Sequence, residues 1–251
     1  MPRTDLVAFD LDDTLADSKA VIDSRIGQLL VELADRVQVA IISGGQFAQF
    51  QTQVIERLPA VPAQTLDRFH LMPTCGTQYF RLGADGIRTV YAHHLSDNEK
   101  RRALTAVEEE ARRLGLWESE PWGDILEDRG SQITFSALGQ RAPLAAKVAW
   151  DPSGEKKNML REAVAARLPD LEVRSGGSTS VDITHLGIDK SYGMRKLAEQ
   201  TGIALEHMLF IGDRLDPGGN DYPVLAMGVR CHAVEGWQQT ADYLDALIPT
   251  L

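Results

Sequence analysis

Leu6-Val-Ala-Phe9 runs straight into Asp10-Leu-Asp12-Asp13-Thr14. Four consecutive apolar residues without polar alternation predict a buried parallel strand, and the acidic cluster marks where it opens into a loop. A carboxylate at such a point can attack phosphorus and form an aspartyl phosphate. A second carboxylate two residues on can protonate the leaving oxygen and then deprotonate the next nucleophile. Asp10 is thus the candidate nucleophile and Asp12 the candidate acid/base, while Thr14 can supply a hydroxyl to the phosphate or brace the turn. The same Asp-Asp-Thr run would also serve to cap a following helix.

Two further apolar runs end in the same way. Val37–Ile42 leads into Ser43-Gly44-Gly45, and Met208–Ile211 into Gly212-Asp213. In open parallel sheets, ligands bind beyond the carboxyl ends of the strands, so three reactive endings point to one site. Between the first two runs, Ile22, Ile26, Leu29, Leu30 and Leu33 recur at helical spacing, which completes a βαβ unit. The fold class expected is α/β, with a doubly wound parallel-sheet core. Gln46–Leu58 reads as the next helix, closed by Pro59 and Pro62.

Ser43 and Gly44 offer a hydroxyl and backbone N–H groups for a phosphate, or alternatively a plain serine cap. Lys190, opening the helix 191–201, would hold phosphate charge in the transition state; a solvated surface lysine is the other reading. In Gly212-Asp213-Arg-Leu-Asp216-Pro-Gly-Gly-Asn220-Asp221, oxygen ligands return after a tight turn. Such ligands suit Mg2+, which would offset charge between phosphate and carboxylates.

The middle of the chain changes character. Residues 97–116 and 156–168 read as amphipathic helices. Residues 124–138 read as a hairpin turning at Arg129-Gly130, and 171–174 with 180–184 as two more strands. Strands joined by hairpins and flanked by helices predict an α+β unit inserted into the core. The expected division is a core of 1–83 and 186–251, with a cap of 84–185 that sets substrate specificity.

Composition bounds the partners. The 251 residues are 43% hydrophobic and 25% charged, with a formal net charge of -10. That charge disfavours nucleic acid. No run approaches the ~18 apolar residues of a membrane span. Two cysteines make neither a disulfide framework nor a thiolate metal site, and no signal peptide is visible, so a cytoplasmic protein is expected. Adjacent His93 and His94 face opposite ways in a strand, and the four tryptophans read as packing residues.

Taken together, the four segments resemble the motifs of the haloacid dehalogenase-like (HAD) superfamily: DLDDT, Ser43, Lys190, and Asp213 with Asp221. The insertion resembles its type IIB cap. The resemblance implies Asp10 as the phosphorylated nucleophile and Asp12 as acid/base. It also implies Mg2+ held by Asp10, the Asp12 backbone carbonyl and Asp213, with Asp221 close by. Within that branch the chain is similar to eukaryotic-type phosphomannomutases. The likeness lies in GDRLDPGGNDY (212–222), in SGGSTSVDI (175–183) and in the two-arginine segment 129–141. It implies a hexose phosphate as substrate, contacted by Arg129, Arg141, Lys147, Ser180, Asp182 and Asn220, and a homodimer formed through the cap. The two arginines would also serve as cap salt bridges.

The chain departs from that family at Asp13, Lys19, Thr74-Cys75-Gly76 and the spacing to Arg141. These positions bear on the sugar and the acceptor, and leave open a sugar-phosphate phosphatase, in which water replaces the sugar hydroxyl. A phospho-acceptor signalling module is a third reading, although it needs neither Asp12 nor an inserted cap.

Overall fold

The computed structural model describes residues 3–251. In chain order, residues up to Ala92 supply β1 (Leu6–Phe9), α1 (Ser24–Ala34), β2 (Gln38–Ile42), α2 (Phe47–Gln53), α3 (Ala63–Leu66), β3 (Phe69–Met72), β4 (Gln78–Arg81) and β5 (Arg88–Ala92). Residues 93–188 carry α4 (Asp97–Arg113), β6 (Leu126–Asp128), β7 (Ile133–Ser136), α5 (Leu144–Trp150), α6 (Glu155–Arg167), β8 (Leu171–Ser175) and β9 (Ser180–His185). The remainder forms α7 (Lys190–Thr201), β10 (Met208–Gly212), α8 (Tyr222–Ala226), β11 (Arg230–Ala233) and α9 (Trp237–Leu247). The chain divides into two compact units. One comprises the described residues up to Ala92 with Asp189–Leu251; the other is His93–Ile188.

The first unit is built on a seven-stranded sheet in the order β11-β10-β1-β2-β3-β4-β5. The five strands from β11 to β3 run parallel, and β4 and β5 extend the edge antiparallel. Alternation along each strand sorts its side chains to opposite faces. Val7, Phe9, Val39, Ile41, Leu209 and Ile211 join the core under α1 and α9. Leu6, Ala8, Ala40, Ile42, Met208 and Phe210 join the core with Met194 and Leu197 of α7. Both faces are covered, which is why these strands read as continuous apolar runs.

Hairpin β4–β5 belongs to this sheet, so the boundary expected near residue 84 lies after Ala92. The sequence signal failed there because Arg88–Ala92 is an edge strand with mostly exposed side chains. The second unit has a four-stranded antiparallel sheet, β6-β7-β9-β8. Its Ile133, Phe135, Val181 and Ile183 pack with Val107 of α4 and Leu160 of α6.

The first sheet buries a polar chain. His70 Nδ1 lies 2.6 Å from the Tyr79 hydroxyl and Nε2 lies 2.9 Å from Gln38 Oε1. Gln38 Oε1 only accepts, so Nε2 carries the proton and Tyr79 donates to Nδ1. Burial, with the Arg81 guanidinium, pushes His70 down to about 3. The unfolded imidazole titrates near 6.5, so the neutral native ring contributes its full stability above that value and loses it as pH falls toward 3. In urea unfolding, the stability gap between wild type and His70→Gln should therefore shrink from pH 7 to pH 4; a constant gap would contradict a buried neutral ring.

Candidate active site

Asp10 extends β1 by one residue, its N–H donating to the Ile211 carbonyl at 3.0 Å. Its side chain is 4% exposed. Oδ1 accepts the Leu11 N–H at 2.7 Å and lies 2.7 Å from Lys190 Nζ. The same ammonium donates to Asp221 Oδ1 at 2.5 Å. Lys190 and Asp221 are 1% and 0% exposed. Asp221 Oδ2 in turn accepts the Arg214 N–H at 3.0 Å.

Lys190 is the first residue of α7, whose N-cap Asp189 accepts the Ser191 and Tyr192 N–H groups. A cation at a helix N-terminus opposes the helix dipole, so propensity does not explain it there. Burial lowers the ammonium's proton affinity, yet Asp10 and Asp221 more than offset this and hold it charged. The surface-lysine reading is excluded. Backbone proximity sets the position of α7: a Cβ on Gly76 would stand 2.6 Å from the Gly193 Cα, and one on Gly193 would stand 2.9 Å from the Cys75 carbonyl oxygen. Only glycine at both places allows that approach.

Asp213 follows β10 and is half-buried. Oxygens of Asp10, Asp213 and Asp221 lie within 4.8 Å of one another. Burial, then the neighbouring carboxylates, raise the pKa of Asp213. Burial raises that of Asp10 well above the usual range, against the pull of Lys190. Three carboxylates thus face one ammonium. A divalent cation fits this set, because it would neutralise the excess charge with hard oxygen ligands.

The loop after β1 is tied into a compact turn. Leu15 and Ala16 donate backbone N–H groups to Leu11, and Asp13 donates to Ala16. Asp12 is half-buried and its Oδ1 accepts the Lys19 N–H at 2.6 Å. Thr14 is fully buried; its hydroxyl donates to Asp213 Oδ1 at 3.4 Å, while its carbonyl accepts from Thr240 at 2.7 Å. The next helix, α1, is capped by Asp23. Asp12–Thr14 therefore do not cap it.

Ser43 follows β2 and its Oγ accepts the Gly45 N–H at 3.1 Å. The cap of α2 is Gln46, so the serine-cap reading fails and the turn 43–45 stands ahead of the helix. A Cβ on Gly44 would meet nothing within 4 Å, which leaves open space beside its backbone. The Thr74-Cys75-Gly76 turn braces this loop: Thr74 N–H donates to the Gly45 carbonyl and Cys75 N–H to that of Ser43. Neither this brace nor the Gly76–Gly193 approach was read from the sequence, although Gly76 and Gly193 are visible in it. Asn220 is exposed on the loop that ends at Asp221.

In the second unit, Ser136, Thr134, Ser180 and Asp182 stand on the polar face of the sheet, as cross-strand pairs Ser136–Ser180 and Thr134–Asp182. Asp182 accepts from Thr134 Oγ1 at 2.8 Å. Burial raises its pKa, against the pull of Arg129 and the hydrogen bonds of Thr134 and Gln132. Arg129 pairs with Glu127 at 2.6 Å and its side chain is 8% exposed, which matches the salt-bridge reading of that residue. Arg129, Ser180 and Asp182 are thus brought into one neighbourhood. Arg141 lies beside Gly123, its Nε 3.1 Å from where a Gly123 Cβ would be, and Lys147 lies on α5. Among the described residues the Arg141 guanidinium makes no hydrogen bond or ion pair.

Removing one partner of a buried ion pair leaves an uncompensated charge. Lys190→Met should cost about 3–5 kcal/mol in urea unfolding without metal. Adding Asp10→Asn should recover part of that loss. A single variant as stable as wild type would mean that the three groups do not share charge as described.

The family model for eukaryotic phosphomannomutase matches residues 26–249, a span that begins after the Asp10–Thr14 segment. Phosphomannomutase 1 of Mus musculus is 23% identical over 227 residues, covering 88% of this chain and 83% of its own. A probable phosphomannomutase of Caenorhabditis elegans is 24% identical and covers 99% and 97%. Among solved structures, a haloacid dehalogenase-like hydrolase from Bacteroides thetaiotaomicron superposes with a TM-score of 0.65 at 15% identity, over 98% of this chain and 100% of that one. The N-terminally truncated IMP-nucleotidase of Plasmodium falciparum gives 0.74 at 15% identity, over 98% and 70%. These structures share the fold. The family match spans most of the chain, and the chain accordingly belongs to the eukaryotic phosphomannomutase family of enzymes.

Proposed function

We propose that the protein is a hexose-phosphate phosphomutase working through an aspartyl phosphate on Asp10. The observation that carries this reading is the buried Asp10 at the end of β1, clamped by Lys190 in company with Asp213 and Asp221. Asp10 attacks the substrate phosphorus as the sugar C–O–P oxygen departs, and Asp12 gives that oxygen its proton. The Lys19 N–H on Oδ1 leaves Asp12 Oδ2 to carry the proton. In the second half, the free hydroxyl of a hexose monophosphate gives its proton to Asp12 and takes the phosphoryl group from Asp10, forming a hexose bisphosphate. Turned end for end, the bisphosphate returns its other phosphoryl group to Asp10 and leaves as the isomeric monophosphate. Ser43, Gly44 and Lys190 hold the phosphoryl oxygens throughout, while Thr14 braces the turn and bonds Asp213. Mg2+, held by Asp10, Asp213 and Asp221 with the Asp12 carbonyl, would supply charge neutralisation between the carboxylates and the phosphate.

A mutase substrate carries anionic charge at its far end as well. Arg141 and Lys147 supply cations for it, with Arg129, Ser180, Asp182 and Asn220 as polar contacts. Arginine suits this task through forked hydrogen bonding. The second reading is a sugar-phosphate phosphatase; half-buried Asp12 is open enough to activate water against the same intermediate. The cellular site proposed is the cytoplasm; no described helix is long and apolar enough to cross a membrane. A dimer through the inserted unit is also proposed. In its support, α5 buries none of its side chains, and Leu144 and Val148, one turn apart, are 62% and 59% exposed.

The test supplies mannose 1-phosphate, Mg2+ and a catalytic amount of hexose 1,6-bisphosphate, followed by 31P NMR. The 6-phosphate should accumulate with little free phosphate. Asp10→Asn should lose on the order of 10³-fold or more in turnover. Phosphate release without isomerisation would transfer the assignment to the phosphatase reading, and full activity of Asp10→Asn would remove the nucleophile assignment altogether. Arg141→Ala should raise KM at least about tenfold, as expected for a lost charged hydrogen bond, with unfolding little changed because its guanidinium makes no hydrogen bond or ion pair among the described residues. An unaltered KM would free Arg141 of any substrate role.

A further inference from the structure

We propose that the first unit carries a second anion site at the amino-terminal edge of its sheet, suited to a small molecule bearing a phosphoryl group. A cavity of about 530 Å³ opens there. Its walls include Arg3, Asp5, Arg36, Gln38, Arg68 and His207. Asp5 precedes β1, Arg36 lies just before β2, Gln38 starts β2, Arg68 precedes β3 and His207 precedes β10. These are the starts of four adjacent parallel strands, whereas Asp10, Ser43 and Asp213 lie at the ends. Five residues of extended chain separate Asp5 from Asp10, about 16 Å at strand rise. The two edges therefore cannot share one small ligand.

Charge and geometry both favour an anion. Three guanidiniums share the cavity walls with one carboxylate, in a chain whose net charge is -10, and the His207 imidazole lies 3.8 Å from both Asp5 and Glu206. That carboxylate, Asp5, is already paired with Arg3 at 2.7 Å. Arg68 spends one donor on the Ala34 carbonyl at 3.2 Å and keeps its other donors. Arg36 is exposed, and its side chain makes no ion pair among the described residues. His207 Nδ1 is buried without a hydrogen-bond partner, 3.8 Å from Asp5 Oδ2. Guanidinium forks match phosphoryl oxygens in a bidentate way, and the volume suits a small metabolite.

The floor is rigid. Asp5 N–H donates to the His207 carbonyl, Gln38 N–H to Asp5 and Val39 N–H to Arg68, so ladder bonds fix the strand starts that present the cations. A site on strands keeps its geometry better than one on loops.

The probe is inorganic pyrophosphate, titrated into 15N-labelled protein in EDTA, where the acidic catalytic edge lacks the metal that would draw an anion. Saturable amide shifts are expected at residues 36–38 and 202–207. Arg36→Gln should weaken binding about tenfold, the loss of one charged hydrogen bond, and Arg36→Gln/Arg68→Gln should abolish it. Shifts confined to residues 43–45 and 190, no saturation at millimolar pyrophosphate, or undiminished binding by a folded Arg36→Gln would each overturn the proposal. The readout is binding alone, so it stands or falls separately from the mutase assay.

Discussion

The ammonium of Lys190, lodged between Asp10 and Asp221, is the contact on which the rest of the sheet's carboxyl-terminal edge depends. It joins three elements that are far apart in sequence: the end of β1, the start of α7 and the loop after β10. Each is individually unfavourable where it stands. Two carboxylates are buried, and a cation occupies the positive end of a helix dipole. Together they offset one another, and Asp213 adds negative charge that the protein alone leaves uncompensated. Such a cluster gives up stability for a place where phosphoryl charge and a metal can be accommodated.

The sheet turns this contact into a site. Its strands are parallel and covered on both faces, so side chains within them are committed to packing and only their ends are available for chemistry. The carboxyl ends collect acids, a serine and glycine amides. Glycines at 76 and 193 bring α7 close enough for Lys190 to reach the same point. The inserted unit follows a different rule. Its antiparallel sheet has one apolar face against helices and one polar face carrying Thr134, Ser136, Ser180 and Asp182.

Much of this was legible in the sequence. The three buried runs at 6–9, 37–42 and 208–211 fall on β1, β2 and β10 within a residue or so, because doubly covered strands leave a plain apolar signal. Two helices of the insertion, α4 and α6, and its four strands were legible from their periodicities, whereas α5, which buries none of its side chains, was not read. The edge strands were not. β5 reads Arg-Thr-Val-Tyr-Ala with most of its side chains exposed, and β11 reads Arg-Cys-His-Ala, so neither carries the long apolar run that marks the covered strands. At the catalytic edge, residue types and order announced the acids, the serine and the lysine. The sharing of Lys190 by Asp10 and Asp221 could not be read, since it depends on three-dimensional approach. Arg129 shows the limit from the other side: its charge was legible, but its commitment to Glu127 was not.

The first unit is assembled from two stretches of chain, and this bears on how the protein is made. β1 emerges from the ribosome early, but one of its two sheet neighbours, β10, follows only after the whole of residues 93–188. The inserted unit is continuous in sequence and can complete its own core first, as domains tend to fold in order of synthesis. Until β10 arrives, the Leu6–Phe9 strand has an unpaired edge, and that edge is a template for wrong partners. The buried Asp10 likewise waits for both Lys190 and Asp221. A nascent chain therefore holds the Asp10 carboxylate long before it holds the ammonium and the acids that share its charge, and the cluster closes only once the last stretch of chain has been made.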